Sequence, residues 1–196
     1  IVALAGTQFF LIAAIVWPFL HNGFSARTPP TVMEARLARV ARRLAIPSML
    51  RDAPNPVAPT ERTLAEARAH FADHCASCHG NDGRGQTTIG RNLYPRVPDM
   101  TANSTQAMSD GELFYAIKHG VRFTGMPAWG NDNPADDFAT WTLVLFIRHL
   151  PDLTVRELEV MATLNPKSLA AWRAEEEQRR FLEGEDLDPA GPAETK

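Results

Sequence analysis

Only two cysteines occur in the 196 residues, Cys75 and Cys78. A zinc site built on them would need two further ligands at a matching spacing, and no second cysteine pair supplies them. No nucleotide-binding loop or flavin-binding pattern is present. The net charge of -3 is too small to name a partner. Charge is also missing from the first twenty residues, IVALAGTQFFLIAAIVWPFL. As a helix rising about 1.5 Å per residue they reach about 30 Å, the thickness of a bilayer's hydrocarbon. A cleaved secretory signal has a shorter apolar core and a small-x-small cleavage site, whereas Trp17-Pro18-Phe19 followed by His21-Asn22 reads as an interfacial end. An uncleaved membrane anchor is therefore expected over residues 1–22. The chain begins without Met and without a basic leader.

What charge there is sits unevenly. Residues 27–51 hold Arg27, Arg36, Arg39, Arg42, Arg43 and Arg51 against the single Glu34, and residues 151–196 hold eleven acids against six bases. Between these oppositely charged flanks lies Cys75-Ala76-Ser77-Cys78-His79-Gly80. Cys-x-x-Cys-His is the attachment pattern of a c-type haem: two thiols bond to porphyrin vinyl groups and the next histidine reaches the iron. A thioredoxin-type dithiol shares the Cys-x-x-Cys spacing, but it needs a preceding strand and has no use for the histidine.

The coarse pattern is all-α. The stretch TVMEARLARVARRLAIPSML reads as a helix with Val32, Met33, Leu37, Val40 and Leu44 on one side and Arg36, Arg39, Arg42 and Arg43 on the others. It suits a membrane surface carrying anionic lipid or the flank of a larger complex; the blander reading is a solvated helix packed on the haem domain. Pro54, Pro56 and Pro59 then make an extended linker. Thr60 caps the helix that runs into the haem motif, burying Leu64, Ala67, Phe71 and Cys75 on one face. Residues 80–108, rich in Gly, Thr, Asn and Pro, form a loop. Ser109-Asp110-Gly111-Glu112 is a capping box opening a helix that buries Leu113, Phe114 and Ile117 and stops at His119-Gly120. Asn133 and Pro134 start another, through Phe138, Trp141, Leu145 and Ile147 to Leu150. Thr154 with Glu157 begins a short helix, Asn165-Pro166 a further one to Leu182, and the last residues are acidic and disordered. The divisions are an anchor at 1–22, a basic amphipathic helix and linker at 23–59, a haem domain at 60–150, a helical extension at 151–184 and an acidic tail at 185–196.

His79 fills one axial position of the iron, so the second ligand decides the chemistry. Met100, Met108, Met126 and Met161 are the downstream thioethers. Met126 stands out because Gly125 and Pro127 constrain its loop. His119 remains a rival; His70, His74 and His149 compete weakly. Methionine in the sixth position gives a one-electron couple, and an open position gives ligand binding or peroxide chemistry.

The order Cys-x-x-Cys-His, capped helix, Gly125-Met126-Pro127-Ala128-Trp129, final helix resembles the class I cytochromes c, in particular bacterial membrane-bound ones, over about residues 60–150. The resemblance implies one covalent haem c, axial ligands His79 and Met126, and a crossing of first and last helices through Ala67, Phe71 and Trp141. Ala67 stands where that family usually has Gly. Gly90-Arg91-Asn92-Leu93 stands for a family Gly-Pro-Asn-Leu whose proline carbonyl accepts from the proximal histidine, which gives Arg91 or a neighbour that role here. Arg91, Arg96 and Trp129 are donors available to haem propionates, or else surface and packing residues. The resemblance further implies haem attachment on the periplasmic side of the inner membrane, against the positive-inside tendency of the arginines after the span.

The expected function is a membrane-anchored monohaem electron carrier, more a subunit of a respiratory or photosynthetic complex than a shuttle, because the flanks exceed what a shuttle needs. No distal acid/base pair marks an enzyme, and neither nucleic acid nor a small-molecule substrate is expected. The alternatives are a haem enzyme or sensor with a labile sixth ligand, and a structural subunit with the haem as a fixed relay.

Overall fold

A computed structural model describes residues 25–131 and 133–166, with isolated positions between 10 and 21 and between 174 and 182. Most of the expected anchor at 1–22, the helix expected up to Leu182 and the acidic tail lie outside the described residues. Among the described residues every regular element is helical, and no helix is long and apolar enough to cross a membrane.

A proline decides where the basic helix stops. The residue before a proline is driven out of the helical region, so α1 (Val32–Ala45) ends with Ile46 extended at φ -78°, ψ 126°, and Pro47 opens the short α2 (Ser48–Arg51). The single helix expected through this stretch is therefore two. At the other end Thr31 and Glu34 form a capping box.

The linker then leads to α3 (Glu61–His70), capped reciprocally by Thr60 and Thr63. Without breaking, the helix passes into a π turn at Phe71–Cys75 and on into α4 (Ala76–His79). The region expected as one loop contains α5 (Thr88–Asn92) and α6 (Asn103–Gln106). Next come α7 (Asp110–His119), with the Ser109/Glu112 capping box, and α8 (Pro134–His149), capped by Asn133. A 3-10 turn at Leu150–Asp152 leads to α9 (Val155–Leu164), capped by Thr154 with Glu157.

The core is formed where α3 and the π turn meet α8, with α7 alongside. Ala67 and Val144 are fully buried, and the Phe71 ring lies 5.0 Å from that of Phe146. This corrects the expected pairing. Phe146 meets Phe71, while Trp141 stacks on Phe114 at 4.2 Å and Phe138 is exposed. α8 is apolar nearly all round from Leu143 to Ile147, so periodicity could not select its inward face. Met161 of α9 is completely buried in the same core, so residues beyond 150 help to build it. With its amide oriented to match its neighbours, Asn165 donates to the Ala72 carbonyl (3.0 Å) and to Asn81 Oδ1 (2.8 Å), tying the end of α9 to the π turn.

Glu157 secures this junction. Its Oε1 accepts from Arg68 Nη1 at 3.2 Å and lies 2.8 Å from His149 Nε2, and its Oε2 accepts from the Thr154 hydroxyl at 2.7 Å. Burial alone raises this carboxyl, but the Thr154 N–H and hydroxyl and then His149 outweigh it and hold it down at about 2. A carboxyl depressed in the folded state stabilises above its unfolded value of 4.5 and loses that stabilisation as pH falls toward 2. Glu157→Gln should therefore lower stability at pH 7 by about 1.5–3 kcal/mol, the worth of hydrogen bonds to a charged group. Thermal melts of both proteins against pH test this: the gap should close between pH 4.5 and 2, and a gap independent of pH would contradict it.

Candidate haem-attachment site

The π turn has a direct consequence for the site. It makes the Ala76 N–H bond back to the Phe71 carbonyl and widens the helix one turn before the thiols. Such bulges re-aim the residues after them and recur at functional positions. α4 then carries Cys75 at its entry, Cys78 and His79 in its single turn, and stops at Gly80, whose φ of 74° suits glycine.

A helix end leaves carbonyls without partners, and here the next loop supplies them. The Thr87 hydroxyl donates to the Cys78 carbonyl (2.9 Å) and accepts from the Gly90 N–H (2.8 Å). Gly85 N–H donates to the His79 carbonyl (2.7 Å), Met100 N–H to Gly83 (2.9 Å) and Val97 N–H to Gly90 (3.1 Å). The backbone of both Cys78 and His79 is thus clasped from one side.

Both thiols are unbridged and half-buried. Burial, and then the neighbouring Cys78, pushes the Cys75 thiol up to about 12, keeping it neutral. Burial pushes the His79 imidazole down to about 4, so it is neutral near pH 7 with a nitrogen lone pair to offer. Its Nδ1 is buried without a partner. The acceptor expected from Arg91 or a neighbour is therefore not formed. Among the described residues no group of three or more His, Cys, Asp or Glu side chains could hold a bare metal ion. Two unbridged thiols with two residues between them and an adjacent neutral imidazole fit a covalently attached haem.

The Met126 loop is pinned along the last turn of α7. Trp129 and Gly130 N–H groups donate to the Ile117 and Lys118 carbonyls (both 3.1 Å), Val121 N–H donates to the Met126 carbonyl (3.1 Å), and Met126 N–H to the Thr124 hydroxyl (3.1 Å). Met126 itself is half-buried. Its rivals are engaged elsewhere: Met100 and Met161 belong to the core, and Met108 packs against it with Arg42 Nη2 3.7 Å from its sulfur. His119 is exposed with its ring 4.4 Å from Tyr115. Arg91 and Arg96 are exposed and pair with no described residue. Trp129 sets its ring 5.6 Å from His74 on the helix preceding the motif.

Sequence reasoning missed Thr87 and Gly90. A Thr three residues before a Gly reads as an ordinary helix start, and nothing local says that both reach Cys78.

Together these features, a helical fold with Cys75, Cys78 and His79 on one short helix and Met126 in a pinned loop, resemble those of a c-type cytochrome domain. Residues 62–147 match the family described as cytochrome C oxidase, cbb3-type, subunit III. The Cbb3-type cytochrome c oxidase subunit FixPc of Rhizobium leguminosarum bv. viciae is 32% identical over 108 residues, which take in 52% of this chain and 28% of that protein. The chain thus spans little more than a quarter of that curated relative.

Proposed function

We propose that this chain is a monohaem electron-transfer subunit of a membrane respiratory complex. Cys75 and Cys78 would hold one haem c by thioether bonds, and His79 and Met126 would ligate its iron. When bound, haem c supplies a ferric/ferrous couple that passes single electrons. The chain's own residues position these groups: the Phe71 ring, itself packed on Phe146, lies 6.4 Å from the His79 ring, Gly85 N–H holds the His79 carbonyl, and the Thr87 hydroxyl holds that of Cys78. The observation that carries the reading is the half-buried His79 imidazole, its Nδ1 without a partner, directly after two unbridged thiols. Similarity to an oxidase subunit supports the respiratory setting. We place residues 1–22 in the inner membrane as a single span, with the haem domain in the periplasm and Arg91, Arg96 and Trp129 near the propionates.

A pyridine haemochrome assay should give one c-type haem per chain. Met126→Ala should abolish the near-infrared methionine-to-iron band and lower the reduction potential by on the order of 0.1 V, a fraction of the ~0.8 V that axial ligands span. An unchanged spectrum would remove Met126 as ligand, and rapid carbon monoxide binding by the native ferrous protein would favour an open-site sensor or enzyme instead.

A further inference from the structure

Among the described residues, α1 touches the rest of the protein along one edge only. Glu34, Ala35 and Arg42 are half-buried, and every other residue of the helix is exposed. Three contacts hold that edge: the Tyr94 hydroxyl on Glu34, Arg42 Nη2 on Met108 Sδ at 3.7 Å, and Arg43 Nε on Glu112 Oε1 at 3.3 Å. Away from it, Met33 (79% exposed), Leu37 (68%), Val40 (51%) and Leu44 (75%) form a continuous stripe. At 100° per residue these positions fall within about 60° of one another, with Arg36, Arg39 and Arg43 in the adjoining sector. Met49, in α2 just beyond, is 90% exposed.

A row of large apolar side chains facing water marks an interaction surface. Its chemistry selects the occupant. Arginines flank the stripe, and the only acid of residues 27–51, Glu34, is on the domain side. A second copy would set this arginine band against its own like charge. A bilayer with anionic headgroups takes both parts at once, with the apolar stripe at the acyl boundary and the guanidinium groups among phosphates. The uncharged segment ends at Leu20, so Val32 lies at most about 40 Å of extended chain from it. This last point rests on the anchoring proposed above.

We infer that α1 is an interfacial helix that lies on an anionic bilayer through Met33, Leu37, Val40 and Leu44. The haem domain, held to α1 by Tyr94, Met108 and Glu112, then has a fixed orientation to the membrane.

The test uses the full haem-loaded chain with vesicles of phosphatidylcholine alone or mixed with phosphatidylglycerol, reading flotation and the hydrogen exchange of residues 32–45. α1 amides should exchange more slowly only where phosphatidylglycerol is present. A basic residue at an anionic surface is worth about fivefold in partition, so Arg36→Glu with Arg39→Glu should weaken the protected state roughly 25-fold or more. Both positions are exposed, and an unchanged haem spectrum verifies the fold. Flotation without slowed α1 exchange overturns the inference and leaves the anchor intact. Flotation only with phosphatidylglycerol removes the anchor and supports α1; flotation with neither lipid removes both. Protection that rises with protein density rather than anionic lipid assigns the stripe to a second copy, and protection without lipid assigns it to another part of this chain. Either would overturn the inference.

Discussion

Gly111→Ala should detach residues 46–53 from the haem domain while leaving the haem-attachment helix in place. Gly111 is in the first turn of α7, where a Cβ would lie 1.7 Å from the Leu50 carbonyl oxygen, 2.8 Å from its carbon and 3.2 Å from the Arg51 oxygen. These are backbone atoms, so no side-chain rotation relieves the clash and α2 must move. With it would go the contact of the Ser109 hydroxyl with the Arg51 carbonyl and the burial of Ile46, which is 3% exposed. Asn55, which donates to the Trp141 carbonyl at 2.9 Å, would be strained next. Overpacking a well-filled contact costs about 1–3 kcal/mol, occasionally more, and a collision with backbone puts this substitution at about 3 kcal/mol. Thermal melting and limited proteolysis read the outcome: a lower melting temperature, new cleavage between residues 46 and 59, and haem attachment close to wild type. Wild-type protease resistance would mean that α2 is not held at Gly111. Because α2 connects α1 to the domain, the same variant should also free the amphipathic helix.

The substitution exposes what local pattern can and cannot say. Helix starts were legible because a cap is a local event: Thr60, Ser109, Asn133 and Thr154 each accept from a backbone N–H where the sequence placed a cap. The core face of α7 was legible for the same reason, since Leu113, Phe114 and Ile117 stand at helical spacing among polar residues. The motif from which haem attachment is proposed spans five adjacent residues, Cys75 to His79. The π turn was not legible, because an extra residue in a turn leaves no trace in composition. Nor was the inward face of α8, where apolar residues surround the helix and only tertiary packing chooses Phe146 over Trp141. The stripe on α1 was visible as periodicity, but its outward direction depends on Tyr94, Met108 and Glu112, up to about seventy residues away. Close approaches by glycine are of the same long-range kind, and one lies at the site itself.

Gly90→Ala should reduce haem attachment. Gly90 is buried, and a Cβ there would lie 2.4 Å from the Cys78 carbonyl oxygen, 2.6 Å from that of Gly85 and 3.0 Å from the Thr87 hydroxyl. The family resemblance points to the residue after this glycine as the source of an acceptor for His79, yet Nδ1 has no partner and it is Gly90 itself that lets the loop close on the motif. To accept a methyl group, residues 85–90 must draw back from α4. That movement breaks the Thr87 bond to the Cys78 carbonyl and the Gly85 bond to the His79 carbonyl. Each buried group left unsatisfied costs about 1–3 kcal/mol, and both belong to residues that the proposed haem attachment requires in register. The ratio of covalently bound haem to total chain should therefore fall well below that of wild type. Thr87→Val supplies the control, since it removes the hydroxyl that donates to the Cys78 carbonyl and accepts from the Gly90 N–H without inserting bulk against the Cys78 and Gly85 carbonyls. It should act in the same direction with a smaller loss. Wild-type attachment in Gly90→Ala would show that the clasp is packing around the site and not a condition for its assembly. A loss in Gly90→Ala with none in Thr87→Val would assign the effect to the Gly85 contact on His79 alone.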